Sequence, residues 1–181
     1  MIHPWHDVTP GSRLPQEFNS IVEIPFGSSV KYELDKASGL IKLDRVLYSA
    51  VYYPANYGFI PQTLAEDDDP LDVLVLMDDP APVGCVLSIR LIGAIEAKQQ
   101  EKEGEWERND RLIAVAVAAH THAHVQHIDE LRPHLLDEIE AFFANYNRQK
   151  GKVFKPTARV GPKKARKILE AGIAASRDGQ T

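Results

Sequence analysis

One cysteine, Cys85, is the whole thiol complement of this chain of 181 residues, so no internal disulfide forms and a reducing, cytoplasmic setting is expected. No apolar run approaches the length that spans a bilayer, and no membrane partner is expected. The stretch from Met1 to Arg13 carries Pro4, Asp7, Pro10 and Gly11 and lacks an apolar core, so it does not read as a signal peptide. A basic excess is missing too. The 21 Lys and Arg against 26 Asp and Glu leave a net charge of −5, which argues against a nucleic-acid binder. A local basic site for a small anion stays open. There is no internal repeat.

What is present fits one domain over residues 1–181 with a sizeable core, since 44% of residues are hydrophobic and 26% charged. Residues 1–14 are expected to form an extended N-terminal arm, and residues 177–181 a frayed polar tail. Strands are predicted over Ser20–Phe26, Val30–Asp35, Leu40–Leu47, Val73–Met77, Val86–Ile95 and Arg111–Ala118, all rich in β-branched or aliphatic residues. Several short strands without helices between them predict a small closed or partly closed barrel. Gln99–Asp110 is polar and is expected to be a long hairpin loop. Two helices follow. Pro133 opens one whose apolar face is Leu135, Leu136, Ile139, Phe142, Phe143 and Tyr146. Pro162 opens the other, with Ala165, Ile168, Leu169 and Gly172 on one side.

The densest chemistry lies in Glu66-Asp67-Asp68-Asp69-Pro70-Leu71-Asp72, five carboxylates in seven residues that feed an apolar strand. Like charges this close repel, and a hard cation such as Mg²⁺ or Mn²⁺ relieves the repulsion. Asp67 and Asp69 point the same way in an extended segment, and the bend at Pro70 returns Asp72 toward them. A solvated acidic turn is the competing reading, weakened by the strand that follows. An EF-hand loop fails, because counting from Asp67 puts Asp72 at the sixth position and Asp78 at the twelfth, where glycine and glutamate are needed. Lys31, Arg45, Tyr53 and Tyr57 fall on or beside the first strands. Cations with phenols are usual partners of phosphate, although a lone basic strand residue is usually a solvated one.

These motifs resemble the soluble Mg²⁺-dependent inorganic pyrophosphatases of bacterial type. Asp67-Asp68-Asp69-Pro70-Leu71-Asp72-Val73 matches the signature D-x-D-P-x-D plus an apolar residue. Tyr53-Pro54-Ala55-Asn56-Tyr57-Gly58-Phe59-Ile60 matches the segment leading into it. Val22-Glu23-Ile24-Pro25, Lys31 to Lys36, Asp44-Arg45 and Phe142 to Tyr146 agree in order and spacing. The resemblance implies a mainly β, α+β fold: a five-stranded OB-type closed barrel with flanking helices. It implies a hydrolase of phosphate metabolism that splits diphosphate into two phosphates, and a homo-oligomer, commonly a hexamer. By position, Asp67, Asp69 and Asp72 are the metal carboxylates, with Asp69 also the general base. Lys31, Arg45, Tyr57 and Tyr146 hold phosphate, while Glu23, Glu33 and Tyr53 line the site, the two glutamates partly through water or metal.

The match breaks in the second acidic motif, typically D-E-x-G-x-D-x-K. Aligning the apolar run Leu112 to Val115 puts Asn109 where the final aspartate is usual and Arg111, a substrate-binding candidate, where the lysine is usual. Gln99 and Gln100 stand where Asp-Glu is usual, and Asn147 follows Tyr146 in place of lysine. Asp110, Glu96 and Glu101 are candidates to compensate. A degenerate pyrophosphatase-like subunit, a related phosphoanhydride hydrolase and a non-catalytic OB-type binding module are therefore alternatives. His120, His122, His124 and His127 read as a polar surface or interface loop, with a Zn²⁺, Ni²⁺ or Cu²⁺ site as the sharper reading. Lys163, Lys164, Arg166 and Lys167 read as a solvated helix face, and Cys85 as a small buried apolar residue.

Overall fold

The computed structural model describes residues 2–48, 51–101 and 104–178. Their strands are β1 (Phe18–Ile24), β2 (Val30–Asp35), β3 (Leu40–Val46), β4 (Asn56–Phe59), β5 (Asp72–Leu76), β6 (Val86–Gln100), β7 (Trp106–Arg108), β8 (Arg111–Ala116) and β9 (Val153–Val160). The helices are α1 (Pro133–Gln149) and α2 (Pro162–Asp178), with a short 3₁₀ turn at Ile128–Glu130. Strand β1 pairs with β4, β4 with β5, β5 with β8, and β8 with β6, which returns to β1. The five strands close into a ring, as expected for an OB-type barrel. Only β5 and β8 run parallel within it. The β2–β3 hairpin is a separate sheet, and β7 and β9 extend β6 beyond the ring.

Residues 73–76 and 111–116 are buried throughout. Such continuous apolar runs belong to strands covered on both faces. Helix α1 buries Leu136, Ile139, Phe142, Phe143 and Tyr146 at helical spacing. Helix α2 lies against β6 and buries Ala165, Leu169, Gly172 and Ser176. Strand β6 serves four neighbours over 15 residues, and register shifts at Leu91/Gly93 and Glu96/Ala97 bend it around the ring.

The structure departs from the sequence expectations in several places. Gln99–Asp110 is not one long loop, because β6 runs on to Gln100 and pairs with β7. Strand β9 was not foreseen. Its Pro156 faces the β6 irregularity at Ala97, the kind of place a strand tolerates proline. The motif from Tyr53 to Ile60 carries a further strand, four-residue β4. The polar tail is helical through Asp178, with residues 179–181 outside the described ones. In the N-terminal arm, residues 4–7 form a turn and Trp5 is buried. Cys85 is half-buried rather than buried, with its thiol toward the Val86 carbonyl.

Ring closure demands close backbone approach where β4 crosses β1. A Cβ on Gly58 would stand 1.8 Å from the Ile21 carbonyl oxygen. Gly58→Ala is therefore expected to lower unfolding stability by about 3 kcal/mol or more, as overpacking against rigid backbone does. A urea midpoint equal to wild type would contradict this account of the ring.

Candidate active site

Strands β1, β2, β4, β5 and β8 direct side chains toward one cavity of about 480 Å³, whose far side is helix α1. Asp67, Asp69 and Asp72 line it from the loop entering β5, and Glu23 and Glu33 from β1 and β2. Lys31, Tyr53, Tyr57 and Tyr146 line it too, as do Asn109 and Arg111. Three expected residues fall outside. Arg45 sits beside the cavity, donating to the Tyr146 hydroxyl at 3.0 Å and stacking over its ring at 5.1 Å. Asp110 turns away. Its carboxylate accepts from the Ala97 amide and from Arg108. Glu96 also points elsewhere, pairing with Lys164 and Arg108.

The parallel β5–β8 register aligns Val73 with Leu112, so the residues just before them, Asp72 and Arg111, are neighbours. They form an ion pair at 2.8 Å. The Arg111 guanidinium lies over the Phe143 and Phe154 rings at 5.0 and 5.6 Å, a stack that the planar group favours. Arg111 also donates to the Asn109 side-chain carbonyl, and Asn109 donates in turn to Gln99. The Asn109 oxygen is thus taken by a cation of the protein itself. Arg45 and Arg111 each keep a buried Nε–H with no partner among the described residues.

Burial pushes the Glu23 carboxyl up to about 8, the nearby Asp72 carboxylate adding to it, although the Leu34 amide donates to Glu23 at 2.7 Å. Burial also raises Asp72, against the opposing pull of Arg111 and the Tyr57 hydroxyl that donates to it. Asp67 rises through burial and its neighbour Asp69. Burial raises Tyr53 and Tyr57, which keeps both phenols neutral donors. Burial opposes the Lys31 charge, yet Lys31 is held above its ordinary value beside Glu33 at 2.6 Å and Asp44 at 3.1 Å.

The donor set is hard oxygen throughout, and Asp67 and Asp72 are raised by burial first and by neighbouring carboxylates second, a cost that a divalent cation would relieve. Even so, no three His, Cys, Asp or Glu side chains among the described residues form a ready-made metal cage. The protein's own cations hold three of the carboxylates, Arg111 on Asp72, Lys31 on Glu33 and Lys36 on Asp69 at 2.5 Å. Nor do the histidines converge. Asp78 accepts from the amides of His120 and Thr121, and His127 caps the 3₁₀ turn.

Sequence reasoning missed Lys36, Glu107, Lys150 and Lys152 on the cavity wall. Lys36 ends the Lys31–Lys36 motif, at the turn after β2, where nothing local marks it as a site residue. Lys150 sits over the Tyr146 ring at 5.6 Å, and Lys152 pairs with Glu101 at 2.5 Å. Positive charge thus reaches the cavity from just past α1, although Asn147 replaces the usual lysine after Tyr146. Asn147 itself is buried and donates to the Phe143 carbonyl.

A family model described as inorganic pyrophosphatase matches residues 20–177. The chain belongs to the inorganic pyrophosphatase family. Soluble inorganic pyrophosphatase 1 of Arabidopsis thaliana is 51% identical over 150 residues, covering 83% of this chain and 68% of that one. The soluble inorganic pyrophosphatase of Zea mays is 47% identical over 168 residues, 93% of this chain and 76% of its own. Among solved structures, the inorganic pyrophosphatase of Thermus thermophilus superposes with a TM-score of 0.88 at 36% identity, covering 97% of this chain and 99% of that one. That of Helicobacter pylori gives 0.83 at 39% identity, over 92% and 96%. The mainly β barrel with two helices is thus the pyrophosphatase architecture.

In the metal-free protein, Glu23 has a folded value of about 8 against an ordinary 4.5. The folded state binds that proton more tightly than the unfolded chain, so the stabilisation is full below 4.5 and is lost as pH rises toward 8. Asp67 and Asp72 act in the same sense. With EDTA present, wild-type stability is expected to fall from pH 5 to 8, and Glu23→Gln to flatten that fall, by up to about 1.4 kcal/mol per unit of the shift. Parallel urea-midpoint curves for the two proteins would refute the burial argument.

Proposed function

We propose that this chain hydrolyses inorganic diphosphate to two phosphates, and that Mg²⁺ or a similar hard divalent ion such as Mn²⁺ is its cofactor. The observation that carries the reading is the joining of a family match over residues 20–177 with one cavity where carboxylates face cations and neutral phenols. Asp67, Asp69 and Asp72, with Glu23 and Glu33 behind them, would hold the metal. Bound there, it would neutralise substrate charge and lower the pKa of an attacking water.

The chain's own groups do the rest. Lys31 and Arg111 present fixed positive charge to the phosphates, and Arg45 reaches them past Tyr146. Tyr57 and Tyr146 donate without adding charge. Such preorganised donors stabilise the charge that develops as the bridging oxygen leaves with its electron pair. Asp69 accepts the proton of the water that attacks phosphorus, general-base help worth about 10²–10⁴-fold. Tyr53, buried beside Tyr57 with ring centroids 5.5 Å apart, and Asn109 complete the lining. The chain acts in the cytoplasm as a homo-oligomer, by resemblance a hexamer. No helix among the described residues is long and apolar enough to cross a membrane.

A second reading, a related but catalytically weakened subunit, is favoured by one observation: the Asn109 oxygen that stands in the second acidic motif is bonded to Arg111. Phosphate release from diphosphate, measured across Mg²⁺ and Mn²⁺ concentrations, separates the two. Turnover with Mg²⁺ alone is expected. Asp72→Asn should reduce it about 100-fold or more while circular dichroism stays wild type. Absence of phosphate release under every metal condition would overturn the first reading, and an unimpaired Asp72→Asn would overturn the metal assignment.

A further inference from the structure

Lys36 belongs to the turn between β2 and β3, yet its ammonium reaches across the cavity mouth to the acidic loop. It lies 2.5 Å from Asp69 Oδ1 and donates to the Asp68 carbonyl at 2.8 Å. Asp68 is a non-glycine residue at φ 60°, so this bond braces the loop where its backbone is left-handed. The Lys36 ammonium lies over the Trp5 ring, with Nζ 5.7 Å from the centroid.

The N-terminal arm holds both partners. Trp5 Nε1 donates to the Thr63 carbonyl at 2.8 Å, and the Gln62 amide donates to the Trp5 carbonyl at 2.8 Å. Thr63 Oγ1 in turn accepts from the Leu71 amide, inside the acidic segment. On the other side, the His3 ring bonds the Lys36 carbonyl at 3.0 Å. The indole is thus a fixed post between the turn that carries Lys36 and the loop that carries Asp69.

Protein cations occupy these carboxylates, and the two on Asp72 and Asp69 differ in how easily they let go. The Arg111 side chain is 7% exposed, bonded to Asn109 and stacked on two rings. Its pair with Asp72 is buried, and separating it would strand a charge. The Lys36 and Asp69 side chains are 47% and 54% exposed. Exposed pairs are weak, and a lysine ammonium rehydrates readily once released.

We propose that Lys36 is the built-in counter-ion of Asp69, holding that carboxylate in the cation-free protein and yielding it when a divalent cation enters, while Trp5 keeps the released ammonium at the cavity mouth. The inference rests on the metal-dependent reading for the identity of the cation. Its test needs no substrate or turnover, so it succeeds or fails separately from diphosphate hydrolysis.

Trp5 reports directly on Lys36, because the chain's other tryptophan, Trp106, is exposed on β7 and can be replaced. Mg²⁺ is titrated into the full-length Trp106→Phe protein without diphosphate, followed by tryptophan emission and by calorimetry. The emission is expected to change and to saturate with the calorimetric dissociation constant. Trp106→Phe/Lys36→Met should bind Mg²⁺ about two- to five-fold more tightly, the range for a pair this exposed, and should lose the emission change. Lys163→Met, which removes an exposed lysine of α2, is expected to leave affinity unchanged, setting direct competition apart from loss of net charge. Wild-type affinity in the Lys36→Met protein, or Mg²⁺ binding with no response from Trp5, would overturn the proposal, as would equal tightening by Lys163→Met. No Mg²⁺ binding by calorimetry would overturn it together with the metal assignment.

Discussion

The parallel pairing of β5 and β8 is the constraint on which the site depends. Every other contact in the ring is antiparallel, and only the parallel one sets two strand starts side by side. Asp72 begins β5 and Arg111 begins β8, so the register that packs Val73 to Leu76 against Leu112 to Val115 also seals a charge pair at the barrel's end. Burying a guanidinium and a carboxylate costs several kcal/mol each unless they are paired and hydrogen-bonded. Here the cost is offset by the stack of Arg111 on Phe143 and Phe154, the Asn109 carbonyl and the Tyr57 hydroxyl. Helix α1 supplies Phe143 and Tyr146 to the same place, so barrel, helix and cavity share one electrostatic centre.

Around that pair, the cavity is an arrangement of like charges kept apart by protein cations. Glu23 answers burial by holding its proton, Asp72 by pairing with Arg111, and Asp69 by pairing with Lys36 at the water edge. Lys31 does the same for Glu33 and Asp44. The carboxylates therefore line one space without converging, because without a divalent ion each is better off beside its own partner. A cavity with distributed counter-ions suits a polyanionic ligand that arrives with its cations. The anion can take the freed ammonium and the open faces of the fixed guanidinium while the cations take the carboxylates.

How much of this the sequence disclosed follows from how local each feature is. Strands β5 and β8 are legible because their apolar runs are continuous, and the acidic signature is legible because its members lie within seven residues. Helix α1 shows in the spacing of Leu136, Ile139, Phe142, Phe143 and Tyr146. Strand β9 does not show, since Lys155, Pro156 and Arg159 hide a strand that exists by pairing with bent β6. Lys36, Lys150 and Lys152 are invisible as site residues for the same reason. Each lies in or near a turn, and each reaches the cavity only because the hairpin, α1 and the N-terminal arm fold back over it. Asp110 shows the reverse error: adjacent in sequence to Asn109 and Arg111, it alternates to the other side of the chain and serves Arg108 and the Ala97 amide.

The replaced second acidic motif gives the cavity a direction. Gln99, Asn109, Arg111 and Asp72 form one hydrogen-bonded chain across the β6–β8 side, neutral at one end and cationic before it reaches the carboxylate. Glu101 on that side already pairs with Lys152, which leaves Glu107 as its remaining lining carboxylate. Negative charge is therefore concentrated on the loop entering β5, at Asp67 and Asp69, where Asp69 is exposed and Lys36 is its opposing cation. An aspartate in place of Asn109 would have set a second carboxylate against Asp72 and divided the field between both sides. With an amide there and a stacked arginine beside it, the field points to the Asp67–Asp69 edge, where an incoming cation meets an exposed ion pair rather than a stacked one.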